Sequence, residues 1–144
     1  MEKSKKLIYA ELIKKVVIFG FAIGMSACLI LFIVTSIWIG RGVQKSCQLA
    51  QKKYNGDCVQ ALILYLQDES HPYGERNSAI WALGQLGDSR ALPVLQSYFT
   101  GNIPDREPWN QTLSQYELKK AINLIQGGYN ITAFIWRSGG VINK

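Results

Sequence analysis

The longest apolar stretch of the chain runs from Val16 to Ile39 and contains no charged residue, His, Asn or Gln. As a helix it would be about 36 Å long, which exceeds the hydrocarbon thickness of a bilayer, about 30 Å. Tyr9 and Trp38 lie near its ends, where amphipathic rings favour the membrane interface. A chain of 144 residues cannot bury a helix that is apolar on every face. The pattern predicts a transmembrane helix over residues 16–40, preceded by a basic segment at 1–15.

Two other uses of such a stretch compete with a permanent anchor. A cleaved signal peptide has an apolar region of about 7–15 residues and a small-x-small cleavage site, and the residues before Gly40 fit that site poorly. The sequence from Met25 to Cys28 loosely resembles a lipobox, but a polar tether should follow the cysteine, and here apolar residues follow it. We therefore expect an uncleaved signal anchor.

Beyond Arg41 the apolar positions recur at helical spacing. Val59, Leu62, Ile63 and Leu66 form one such stripe, and a capping box at Asp57 precedes it. Further helices are expected at about 44–53, 75–86, 88–99 and 114–126. No segment of useful length alternates with period two. The sequence thus predicts an all-α fold, with a helical domain over residues 41–144.

Residues 75–95 read ERNSAIWALGQLGDSRALPVL. They match an Arg-x-x-Ala-x-x-Ala-Leu-Gly-x-Leu-Gly-Asp helix followed by an Arg-Ala-Leu/Val-Pro-x-Leu helix, and so they resemble a HEAT repeat of the phycobilisome-lyase-like type. Residues 58–69 resemble the second helix of a preceding repeat more loosely. The resemblance implies a HEAT-like α-solenoid of helical hairpins and a bacterial protein. Small residues such as Gly84 would let its paired helices approach closely.

The number of repeats departs from that family. Solenoid repeats cannot bury their apolar faces alone, and about three or more are usually needed. Here one full repeat has partial neighbours, so other helices of the chain, the tail at 131–136 or another protein must cover its ends. We expect a membrane-tethered adaptor or scaffold that binds a protein partner. The alternative is a small structural subunit whose solenoid is completed by a larger membrane complex.

Charge bears on orientation and on partners. The net charge of +6 divides evenly, because residues 1–40 carry five Lys and two Glu, whereas residues 41–144 carry eleven Lys or Arg and eight Asp or Glu. Positive and negative residues are interspersed in the helical domain, so we expect no nucleic-acid partner. The lysines of 1–15 suit the anionic headgroups of a lipid bilayer. Because the N-terminus is short and basic, we expect it in the cytoplasm and the domain outside the plasma membrane. The opposite orientation stays open.

Cys47 and Cys58 are the cysteines outside the apolar stretch. They could form a disulfide on the outer side of a plasma membrane and would stay reduced in the cytoplasm. If helices extend to a turn at Asn55-Gly56, Cys47 lies about two helical turns from that turn, which is too far for a bridge. Both states of this pair stay open.

Candidate chemistry is sparse. His71 is the only His, lies before Pro72 and is interpreted as an exposed turn residue rather than a catalytic base. With one His and no CxxC we expect no metal site, no cofactor and no enzyme.

Binding has better candidates. The long connection at 101–112 combines Pro, alternating charges and Trp109, which suits an interface loop, although Trp109 could equally fold back onto the last helix. The spacing of Gly20 and Gly24 is the one that lets transmembrane helices pack closely, and it raises a homodimer through the span. The predicted partner contacts are Arg76, Arg90, Gln96, Arg106 and Trp109.

Overall fold

A computed structural model describes the backbone of residues 2–138, and side chains for Tyr9 and residues 11–137. Over this range the chain is helical and has no strand. The side chains of Lys3, Lys5 and Lys6, and the whole of residues 139–144, lie outside the described residues. The elements are α1 (Glu2–Gln51), α2 (Cys58–Gln67), α3 (Tyr73–Leu86), a 3-10 turn (Ser89–Ala91), α4 (Leu92–Tyr98), α5 (Gln115–Ile125) and α6 (Ala133–Ser138).

The chain divides into two compact units, the first ending at Thr35 and the second beginning at Ser36. The first is a single helix whose apolar side chains face outward; Ile23, for example, is 69% exposed. This helix is long and apolar enough to cross a membrane, and its most apolar window is entirely unburied. Gly20 and Gly24 have the spacing that was predicted to let two transmembrane helices pack closely. A Cβ added at either position would meet nothing within 4 Å.

The predicted separate helix at 44–53 is wrong, because α1 continues without a break through Arg41 to Gln51. A glycine inside a helix costs only about 1 kcal/mol, which packing can offset. Gly40 and Gly42 each let a side chain from another helix approach α1 closely. A Cβ on Gly40 would lie 2.7 Å from Trp136 Cβ, and one on Gly42 would lie 3.0 Å from Trp81 Cη2.

Helix α3 is the centre of the second unit, since it packs against both α2 and α5. Its Ile80 and Leu83 are fully buried, and a Cβ on Gly84 would stand 2.6 Å from the Cα of Ala121 in α5. Gly84 thus allows a close helix approach, but to α5 rather than to the paired helix of its own repeat. Helix α4 also packs on α5.

The helix ends follow the capping residues of the sequence. Asp57 accepts a hydrogen bond from the Gln60 amide at 2.8 Å, and Ser114 accepts one from the Glu117 amide at 3.1 Å. Helix α3 ends at Gly87, whose φ of 66° is the left-handed conformation that glycine adopts without strain. The helix expected at 88–99 is shorter, since it opens as the 3-10 turn and becomes α-helical at Leu92.

Cys47 and Cys58 form a disulfide in this structure, with their Cα atoms 5.0 Å apart. The axial offset expected from the sequence is absent because α1 ends at Gln51, about one turn after Cys47. The connection then turns back at Gly56, where φ is 131°, and α2 begins at Cys58 beside α1. The bridge thus fixes the end of α1 to the start of α2.

Candidate partner-binding surface

A groove of about 200 Å³ opens between the end of α1, α2 and α3. Leu49, Leu62 and Ala79 give it apolar walls, whereas Lys45 and Glu75 carry opposite charges. Leu49 is 46% exposed, so the groove is open to a partner. Pockets for small-molecule ligands usually enclose about 300–1,000 Å³, and this groove better suits one apolar side chain of a protein. Its full lining is Lys45, Ser46, Leu49, Leu62, Tyr65, Glu75, Ser78 and Ala79.

One end of the groove is fixed by Tyr65 and Glu75, because the Tyr65 hydroxyl donates a hydrogen bond to the Glu75 carboxylate. The Tyr65 ring also stacks on the His71 ring, with centroids 3.7 Å apart and planes within 3°. The shape of the groove at this end therefore depends on His71.

His71 is buried, with only 6% of its surface exposed, so its interpretation as an exposed turn residue is wrong. Its Nδ1 lies 3.4 Å from Lys53 Nζ, and its Nε2 lies 3.0 Å from the Tyr54 hydroxyl oxygen. The two ring nitrogens of His71 therefore face one ammonium group and one hydroxyl group. The Tyr54 hydroxyl in turn donates to Asp68. Sequence spacing did not reveal this network, since it joins the ends of three different helices.

These hydrogen bonds shift the pKa values of the groups in the network. The hydrogen bond to Asp68 raises the pKa of Tyr54 to about 12, and the same bond holds the pKa of Asp68 well below its usual range. Burial and the bond to Glu75 raise the pKa of Tyr65. A neutral tyrosine paired with an ionised carboxylate is therefore the stable arrangement at neutral pH.

The long connection between α4 and α5 is tied down by Asn77 of α3, which is fully buried. Its Nδ2 donates to the carbonyl oxygens of Trp109 at 2.7 Å and Thr112 at 2.9 Å, while its Oδ1 accepts from the Ser114 amide at 2.9 Å. The Glu107 carboxylate accepts a hydrogen bond from the amide of Gln115, at the start of α5. The connection is thus a fixed loop.

Residues 75–100 match a family model described as the PBS lyase HEAT-like repeat. The match covers α3, the 3-10 turn and α4, which is under a fifth of the chain. Searches of curated proteins and of solved structures found no match. The repeat contributes Glu75, Ser78 and Ala79 to the groove and Asn77 to the loop contacts.

Two of the predicted contact residues in the HEAT-like repeat have partners within the chain. Arg76 is 4% exposed, and its Nε donates to the Leu66 carbonyl oxygen at 2.9 Å, so it joins α3 to α2 instead of facing a partner. Arg90 is half-exposed and forms ion pairs with Asp57 at 2.6 Å and Asp88 at 2.8 Å. The prediction that Arg76 is available to a partner differs from the structure because α2 packs over it.

The other three predicted contacts stay on the surface. Gln96 and Arg106 are exposed, and Trp109 is 43% exposed. The Trp109 ring also covers the start of α3, since a Cβ on Gly74 would meet it at 3.4 Å. The contact described for this ring is with α3, whereas the sequence suggested the last helix, and the role of Trp109 in an interface stays a prediction. Within residues 2–138, no hydrogen bond or ion pair joins two of the five predicted side chains.

The groove itself was not found from the sequence. Lys45 and Leu49 line the groove as part of α1, which continues past Gly42. The sequence had predicted that one helix ends near Gly40 and that a separate helix covers 44–53. Among the described residues, no three His, Cys, Asp or Glu side chains form a group able to hold a metal ion.

Proposed function

We propose that this protein is a membrane-tethered adaptor or scaffold, in which the apolar part of α1 spans the plasma membrane and the helical unit binds a protein partner. The observation that carries the proposal is the match of residues 75–100 to a HEAT-like repeat. Such repeats stack helical pairs into binding surfaces. No catalytic step and no cofactor are part of this proposal.

The arrangement of the second unit supports a short solenoid. The end of α1 with α2 would be one helical pair, α3 with α4 the next, and α5 the first helix of a partial third. The contacts of α3 with α2 and α5 are those that stacked pairs require. Ala61, Leu66, Leu95 and Leu118 are fully buried, so the unit forms a core from its own helices. That core favours an adaptor over a subunit whose fold must be completed by a larger complex.

The exposure of α1 supports the tether. An apolar helix without protein around it requires another apolar solvent, and the hydrocarbon core of a bilayer is that solvent. Placing the domain outside the cell is supported by the Cys47–Cys58 disulfide, because thiols in the cytoplasm are kept reduced. We also propose that two copies of this helix pack through Gly20 and Gly24.

The groove supplies the surface we assign to the partner. Its apolar walls and the opposite charges of Lys45 and Glu75 suit an apolar side chain flanked by charged groups. Gln96, Arg106 and Trp109 are further proposed contacts outside the groove.

Site-specific photocrosslinking of the full chain in its own membranes tests the partner surface. A photoreactive residue at Leu49 lies in the groove, and one at Leu64 is a matched control on α2 with 38% exposure. We expect a protein adduct from Leu49 that is absent from Leu64 and weakened by Lys45→Glu. Equal adducts from both positions, or none from Leu49, would overturn the assignment of the groove.

A further inference from the structure

The most exposed large apolar side chains of the second unit belong to two short parts of the chain. Trp38 is 72% exposed, Tyr129 98%, Ile131 69% and Phe134 82%. Every other large apolar residue described in this unit is at most 54% exposed, the value for Tyr116. Trp38 belongs to the end of the apolar stretch, and the other three belong to the C-terminal segment, residues 129–136.

Trp136 holds the C-terminal segment against α1. It is 1% exposed, and its Cβ lies so close to Gly40 that any side chain there would collide with it, at 2.7 Å. Gly40 directly follows the apolar stretch that ends at Ile39. The C-terminal segment therefore packs at the level where that stretch ends.

A second set of contacts orients the segment on α3. The Arg137 guanidinium donates to the Gln85 carbonyl oxygen, and Asn130 Nδ2 donates to Gln85 Oε1 at 2.9 Å. With Trp136 turned inward and these bonds in place, Tyr129, Ile131 and Phe134 are left on the outside. Several large exposed apolar side chains in one short segment are typical of a surface that contacts lipid or another protein.

We propose that the C-terminal segment lies in the headgroup region of the bilayer, with Tyr129, Ile131 and Phe134 in contact with lipid. This inference rests on the proposed membrane span of α1. Aromatic rings are enriched at the level where a span leaves the hydrocarbon, and Trp38 already lies there. Arg41 and Arg137 are exposed near the same end and suit anionic headgroups. The segment is then a second contact of the helical unit with the membrane.

Depth-dependent fluorescence quenching tests this placement. The full chain carrying Cys28→Ser and Phe134→Cys is labelled with a fluorophore and reconstituted into vesicles of phosphatidylcholine and phosphatidylglycerol. A matched chain carries the label at Tyr116→Cys, on α5. We expect a lipid with a nitroxide near its headgroup to quench the Phe134 label severalfold more than the Tyr116 label.

Gly40→Ala supplies an independent arm, because the added methyl must push Trp136 away. It should reduce quenching at position 134, whereas Gly24→Ala, which meets no neighbour, should not. Flotation of the vesicles is measured first. If the chain does not float with them, the span and this inference both fail. If the chain floats but the two labels are quenched alike, the span stands and this inference alone is overturned. A photoreactive residue at position 134 that crosslinks to protein instead of lipid would also overturn it.

Discussion

The two units use apolar side chains in opposite ways. Up to Thr35, residues such as Ile23 and Leu31 are about two-thirds exposed, at 69% and 65%, although they are as apolar as any core residue. From Ser36 onward, equally apolar residues such as Leu66 and Leu95 are fully buried. The difference lies in the polar positions. Residues 16–35 of the first unit carry no charged residue on any side, whereas the helices of the second unit combine apolar with polar positions, so only the second forms a core from its own residues.

Glycines show the same contrast. Gly24 has open space where a Cβ would be, whereas Gly84 faces the backbone of α5 at 2.6 Å. A glycine of the first unit therefore matters only if another helix packs on it in the membrane. Gly84 in the second unit already determines how closely α3 and α5 pack.

The largest effect should come from charges placed in the first unit. Ile23→Lys with Ile30→Lys opposes insertion by about 2.5–3.5 kcal/mol for each lysine near the centre of a span. We expect the fraction of chain recovered with membranes to fall severalfold. The matched variant, Leu64→Lys with Tyr116→Lys, places the same charges on exposed apolar sites of the second unit and should leave recovery unchanged. Equal recovery of both variants would mean that α1 does not span.

Reducing the disulfide should have the next largest effect, and only on the second unit. A bridge between residues 11 apart stabilises a fold by about 2–3 kcal/mol, mainly by restricting the unfolded chain. Denaturant unfolding of the full chain in detergent, with and without reductant, measures this change. Cys28→Ser is the control and should not alter the difference. An unchanged unfolding midpoint would show that the bridge is not formed.

Gly84→Ala should be less disruptive, with a loss of about 1–3 kcal/mol, because α3 and α5 must separate to admit the methyl group. Gly24→Ala adds the same methyl to a helix with open space and should leave the unfolding of the second unit unchanged. Circular dichroism during denaturation compares the two variants. Similar losses in both would contradict the close contact of α3 with α5.

The smallest effect concerns pH and the His71 network. The hydrogen bond from Tyr54 and those from Ser70 lower the pKa of Asp68, so its ionised form stabilises the fold above the ordinary pKa of Asp, about 3.9. This contribution is lost as pH falls through the lowered pKa of the folded state. Asp68→Asn should therefore flatten the acid side of the stability profile, and Tyr54→Phe should reproduce part of that change. Parallel profiles for wild type and Asp68→Asn would refute this role.

Sequence periodicity predicted the helices well wherever local chemistry decides. Asp57 caps the helix that it was expected to cap, and Ser114 at the start of α5 and Gly87 at the end of α3 follow the same local rules. These features depend on residues close together in the chain, which a sequence shows directly.

The sequence did not predict features that depend on distant contacts. The break expected near Gly40 is absent, because Trp136 and Trp81 from other helices fill the space that the glycines leave. His71 and Arg76 were misjudged for the same reason, since α2 and its neighbours cover them. A short solenoid is especially open to this error, because each helix is covered mainly by partners from other pairs.

The disulfide was left open on an argument about helix length. The estimate assumed that α1 would extend to Asn55-Gly56, and ending it at Gln51 removes the difficulty. Helix ends are uncertain by one or two residues even in structures, and a bridge depends on that register.

The tether is the central claim, and alkaline extraction of membranes from cells that make the full chain tests it most directly. High pH removes proteins held by charge or by other proteins, whereas a chain that crosses the bilayer stays with the lipid. We predict that the full chain remains in the membrane pellet and is released only by detergent. Recovery of the intact chain in the alkaline supernatant would contradict the span of α1, and with it the assignment of this protein as a membrane-tethered module.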